Sequence, residues 1–231
     1  MPRISSKTDR LDIYIDKDRK LILIEQKWKY VWSNKKGTTP WSHKEKKKFH
    51  NKSDHIIENL WGGKMVIRTK GSSDFAKKYA DDGFVVNFDL KWVTNDEHWK
   101  VRVTKIPKGE WAQSWMKWTT REVNLDTEDI KMRRTSTIPR RTQSPVAHEF
   151  GHTIGNTFHT GVTQHGDEYK TNSKYNTQTK SIMNIGNEIK PRHLDYIVSE
   201  LNKMVPNTEF YVKKINWHEK ISYFTRTLFN F

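Results

Sequence analysis

His148, Glu149 and His152 stand in the order His-Glu-x-x-His, and no other stretch of the chain states a chemistry so directly. Two histidines four residues apart fall on one face of an α-helix, one turn apart, where both imidazoles can reach the same ion. A glutamate directly after the first histidine approaches that ion from the side and can take a proton from a water held there. Imidazole nitrogens suit zinc, so the chemistry this spacing points to is hydrolysis by a zinc-activated water. The flanks supply the helix. Ser144 suits an N-cap, Pro145 the first helical position, and Gly155 the helix end just past the second histidine.

Such a helix must be held by a frame, and the first half of the chain provides one. Leu11, Ile13 and Ile15 alternate with Asp12, Tyr14 and Asp16, the period of a half-buried strand. The polar run Asp16–Lys20 then turns into Leu21–Ile24, which predicts a hairpin. Ser42 with Glu45 forms a capping box. The helix it opens carries Phe49, Ile56, Ile57, Leu60 and Trp61 at helical spacing and stops at Gly62-Gly63. Met65–Arg68, Phe84–Trp92 and Trp99–Val103 are further strands. Trp111, Trp115 and Trp118 are expected in core or edge packing, with an aromatic platform for a ligand as the alternative. After the His-Glu-x-x-His helix comes a polar loop from about Asn156 to Lys180. A closing helix follows, with Leu194, Ile197, Val198, Leu201 and Met204 in one stripe, and then an aromatic-rich tail of strands from Phe210 to Phe231.

A catalytic zinc needs a third protein ligand and one open position. The segment from His148 to Gly155 resembles the metzincin pattern HExxHxxGxxH/D, in which the glycine turns the chain so that a residue three further on can ligate. Here that residue is Phe158, which cannot, and His159 stands one position late. Further on, His165-Gly166-Asp167-Glu168-Tyr169 resembles the Asp-Glu-Tyr signature that follows HExxH in some bacterial zincins, IgA-peptidase-like enzymes among them. On that resemblance Asp167 is the third ligand, with His159 and His165 as the alternatives. Ser181-Ile182-Met183-Asn184 resembles the Met-turn that lies beneath the metal. Arg192 and His193 either stabilise an oxyanion in the cleft or serve as a helix cap and surface. The resemblance is carried by Ala147–Gly155 and, more loosely, by Asp167–Met183. Elsewhere only the order of elements supports it.

The resemblance implies an α+β fold of the zincin and metzincin kind: a twisted mixed sheet, a backing helix near 42–61 and the zinc helix beneath. It divides the single domain 1–231 into an N-terminal part, 1–155, and a smaller C-terminal part, 156–231, with the Met-turn and closing helix. It also implies a zinc metalloendopeptidase, with Zn2+ on His148, His152 and Asp167, Glu149 as general base, and a protein or peptide as substrate.

Composition bounds this reading. Only 34% of the 231 residues are hydrophobic, but ten Trp, ten Phe and eight Tyr can fill a core, so the chain is expected to fold. The absence of cysteine excludes disulfides and thiolate ligands. A net charge of +15 is assigned to solubility rather than to nucleic acid. Met1 to Arg10 are polar, without the apolar segment of a secretory signal, and no apolar run is long enough to span a membrane. These features fit a bacterial or phage-like effector or toxin, secreted or injected without a classical signal and partnered by a secretion apparatus or injection particle. A cytoplasmic protein is the other expectation. The rival function is an inactive zincin-fold binding module whose basic surface docks onto an anionic partner.

Overall fold

Period-two burial runs through most strands, and it decides which face of the sheet receives the helices. The computed structural model describes residues 4–134, 141–162 and 165–214. β1 (Ile4–Lys7) and β2 (Asp12–Asp16) form an antiparallel hairpin, and β2 pairs across the expected turn with β3 (Leu21–Asn34). β3 runs well past the expected Ile24. Its alternation continues through Gln26, Trp28 and Tyr30, all buried, while charged Glu25, Lys27 and Lys29 occupy the other face and mask the pattern.

α1 (His43–Trp61) follows, opened by the expected capping box: Ser42 Oγ accepts from Glu45 N, and the Glu45 carboxylate accepts from Ser42 N. Such a cap contributes about 1 kcal/mol. Phe49, Ser53, Ile57 and Trp61 form its buried face. β4 (Met65–Gly71), the short α2 (Asp74–Lys78), β5 (Phe84–Trp92) and β6 (Trp99–Lys105) come next. They are followed by β7 (Trp115–Lys117), β8 (Glu122–Asp126) and a two-stranded ribbon, β9 (Arg133–Arg134) with β10 (Thr142–Gln143). α3 (Pro145–Thr153) carries the His-Glu-x-x-His segment, and α4 (Asp195–Met204) and β11 (Thr208–Lys214) close the described chain.

The result is a mixed α+β fold around a nine-stranded sheet of order β11-β4-β5-β3-β6-β8-β7, with the β1–β2 hairpin on β3. β3 lies parallel to β5 and β6, and β6 parallel to β8; the remaining pairs are antiparallel. Along one edge β3 pairs with β2 through Leu21–Glu25 and with β6 from Trp28 onward, so a single long strand joins both halves of the sheet. Ile22, Ile24, Gln26 and Trp28 of β3, Val86 and Phe88 of β5 and Val101 and Val103 of β6 are all buried. α1 and α3 cover this face together. The Trp61 indole donates to Ala147 O at 3.0 Å, Phe88 meets Phe150 edge-on, and Gln26 Nε2 donates to Thr153 O at 3.1 Å.

Three expectations need correction or closer placement. Of Trp111, Trp115 and Trp118, only Trp118 is buried; Trp111 is 65% exposed and Trp115, on edge strand β7, is 41% exposed. β7 ends the sheet, with β8 on one side only. Ser144 does stand at the N-cap of α3, but its hydroxyl makes no cap bond; Val146 N instead donates to Asp129 O at 3.2 Å. The tail beyond Lys214, residues 135–140, 163 and 164, and the first three residues lie outside the described residues. Among the described residues no helix is long and apolar enough to cross a membrane.

Candidate metal centre

α3 is buried along its whole length, which is unusual for a helix carrying three ionisable side chains. It can be buried because its polar groups converge on one cleft. His148 Nε2 lies 3.2 Å and His152 Nε2 3.0 Å from the same oxygen, Asp167 Oδ1. These three ligand atoms all fall within 4.8 Å of one another, so the group could hold a metal ion.

The outer nitrogens decide what the inner ones offer. His148 Nδ1 lies 2.8 Å from Ile182 O, and His152 Nδ1 2.7 Å from Asn156 O. A carbonyl oxygen only accepts, so each Nδ1 carries the hydrogen and donates it. The Gln143 amide nitrogen is also 3.0 Å from His148 Nδ1, but it has Asn184 O to donate to. Both neutral imidazoles therefore turn an Nε2 lone pair toward the Asp167 carboxylate. Three acceptors facing one point repel unless a cation, proton or metal, lies among them. Burial pushes the His152 imidazole down, but Asp167 and Glu149 outweigh it and hold it above its usual value. Burial likewise pushes Asp167 up, yet the two imidazoles hold its carboxyl far below the usual range.

Asp167 is held from behind as well as in front. Its second oxygen, Oδ2, pairs with Lys170 Nζ at 2.9 Å, and its carboxylate is hydrogen-bonded by the Tyr169 side chain. One oxygen is thus left to face the imidazoles. The next residue, Glu168, is fully buried and accepts from Arg192 Nε at 2.8 Å and Nη2 at 2.9 Å, with His193 Nε2 at 3.3 Å. Glu168 N donates to Met183 O at 2.8 Å, and Asn184 Nδ2 donates to Glu168 O at 3.2 Å. The loop bearing Asp167 is thereby tied to the 181–184 turn. That turn also supplies Ile182 O to His148, and its Met183 is completely buried against α3.

Gly155 has φ +104°, a conformation that side chains rarely adopt, and a Cβ there would lie 2.3 Å from Tyr196. The chain turns there, as the pattern anticipates, and Phe158–Thr160 form a short 3₁₀ turn capped by Thr157. His159 on this turn is exposed at the rim of the cleft. His165 is buried elsewhere, its Nε2 donating to Arg192 O at 3.2 Å. Neither joins the group of His148, His152 and Asp167. Arg192 and His193 do not face the cleft; both are spent on Glu168, and burial pushes the His193 imidazole down to about 4. Neither is an oxyanion donor, but the helix-cap expectation holds for His193, whose Nδ1 accepts from Lys190 N at 3.1 Å at the start of the 191–194 turn.

The cleft is lined by His148, His152, Asp167, Glu149, Tyr169, Phe158 and the β7 segment. Tyr169 escaped a role in the sequence reading although the motif contains it. Its ring centroid is 6.1 Å from that of His148, and burial with the neighbouring Asp167 pushes its phenol up, so it stays protonated. Compared with models of known protein families, with curated proteins and with solved structures, the chain matches none.

Proposed function

We propose that this protein is a zinc-dependent metallopeptidase, of metzincin-like type, that hydrolyses peptide bonds in a protein or peptide substrate. The observation that carries the reading is the convergence of two imidazole lone pairs and one carboxylate oxygen, each oriented by a hydrogen bond or ion pair on its far side. Two nitrogens and one oxygen suit zinc and leave a coordination position open. The same donor set also suits iron(II). Glu149, one residue from His148 and lining the same cleft, favours hydrolysis instead.

His148, His152 and Asp167 would hold the ion. When bound, zinc lowers the pKa of a water and polarises the scissile carbonyl. Glu149 accepts the water's proton and passes it to the leaving amine. Tyr169, whose phenol hydrogen-bonds the Asp167 carboxylate, would help hold that ligand in place. The rival reading, an inactive binding module, rests on a missing third ligand; the grouping of Asp167 with His148 and His152 supports the peptidase reading instead.

The test is Glu149→Gln. This variant is expected to bind one metal per chain with unchanged affinity and to lose cleavage of an unfolded protein substrate by about 100-fold or more. Undiminished cleavage would remove Glu149 from the mechanism. Metal analysis after loading from an equimolar mixture of zinc and iron(II) should recover zinc, and recovery of iron would overturn the assignment.

A further inference from the structure

We propose that the mouth of the metal cleft is a subsite for a bulky apolar side chain of an extended polypeptide, with Phe158 as its wall. The proposal rests on the peptidase reading and adds a substrate class to it. Position 158 is where the metzincin pattern has its third ligand; here a phenylalanine stands there, and Asp167 takes the place beside the histidines. Released from that role, Phe158 turns outward and is 66% exposed. It is not on a loose loop. Thr157, itself buried, caps the turn and bonds its own backbone to Gly155 O at 2.8 Å. The ring stands over Gly166, within 3.5 Å of where a Cβ would be, directly beside the backbone that leads into Asp167.

Phe158 has company. Trp115, 41% exposed, and Tyr169, 46% exposed, line the same cleft, whose volume is about 300 Å³. None of these three aromatics belongs to the hydrophobic core or to the half-buried side chains packed against it. Each therefore exposes apolar surface to water without contributing to the sheet's packing. Scattered exposed apolar residues need no explanation, but a group of them around one cleft marks a binding surface. An extended chain lying across the metal would place a side chain against them. The aromatic walls favour one large enough to cover the Phe158 ring.

The test reads binding rather than turnover. Zinc-loaded Glu149→Gln protein is titrated with a short unstructured peptide of Gly, Ala and Gln carrying Phe at its centre, and with the same peptide carrying Ser there. The Phe peptide is expected to bind at least about tenfold more tightly, the discrimination an apolar pocket gives. Adding Phe158→Ala should reduce that preference to less than threefold (on the order of nothing, on the scale of such pockets) while zinc content stays the same. Phe158→Leu should retain most of the preference. Equal binding of both peptides, or full preference in Phe158→Ala, would overturn the subsite. Preference without any peptide hydrolysis by the Glu149 protein would overturn the peptidase reading and leave the subsite standing; hydrolysis without preference would do the reverse.

Discussion

Gly151 and Met183 meet so closely that a methyl group on the glycine would lie 2.4 Å from the methionine sulfur and 2.8 Å from the Trp61 ring. The sulfur could swing aside, but Trp61 is buried and pinned by its bond to Ala147 O. On an open helix, Gly→Ala stabilises by roughly 0.5–1 kcal/mol. Here overpacking should reverse the sign, costing about 1–3 kcal/mol. Gly151→Ala is therefore expected to lower Tm. It should also weaken zinc binding, because Met183 belongs to the turn whose Ile182 O orients His148. A raised Tm in thermal unfolding would show that this contact is loose.

The three metal-facing residues should separate from the two bystander histidines. His148→Ala or His152→Ala is expected to abolish zinc binding, since a three-ligand site rarely survives with two. Asp167→Ala should lower affinity by orders of magnitude. His159→Ala and His165→Ala should change it by less than about tenfold, the lower range of changes around a ligand set. Competition with a chromogenic chelator measures all five. Loss of metal in His159→Ala with retention in Asp167→Ala would reassign the third ligand.

This division marks how far local pattern reaches. His148, Glu149 and His152 were legible because a helix fixes their geometry by spacing alone. The meeting of Asp167 with them is a loop closure over fifteen residues, and only the resemblance of the Asp-Glu-Tyr segment suggested it. The cap role of His193 was legible, but the bonds of Arg192 and His193 to Glu168 were not, because that partner lies more than twenty residues away and nothing local announces a buried carboxylate there. The sheet shows the same limit. β5 and β6 alternate cleanly and were evident, whereas β7 and β8 are only three and five residues long and become strands by pairing. Gln26, completely buried in β3, is polar by sequence and apolar by position, because Trp28 Nε1 and Thr153 Oγ1 donate to its amide oxygen.

Arg192 is expected to matter to folding as much as to the site. Glu168 is fully buried, so Arg192→Met would leave an uncompensated carboxylate, at a cost of about 3–5 kcal/mol. The surface pair of Lys203 and Glu200 is a fair contrast: Lys203→Met should cost less than about 1 kcal/mol. Urea unfolding of both variants, in chelator, gives the comparison. Similar losses for the two would mean that the Glu168 pocket is wet.

His193 sets the acid limit of the metal-free fold. Burial pushes its imidazole down to about 4, from an ordinary value of 6.5. The unfolded chain therefore binds the His193 proton first as pH falls, and protonation pulls the equilibrium toward unfolding. Stability from this group is complete above pH 6.5, declines as pH drops toward about 4, and changes no further below it. A depression of that size corresponds to a loss on the order of 3 kcal/mol. The Glu168 carboxyl, held at about 2 by His193 and Arg192 against the opposing effect of burial, adds a second loss at lower pH. Unfolding in chelator should therefore show stability falling between pH 6.5 and 4, and a His193→Gln variant, less stable at pH 7, should have a flatter profile across that window. A parent profile that is level from pH 6.5 to 4 would mean that His193 is already charged in the fold.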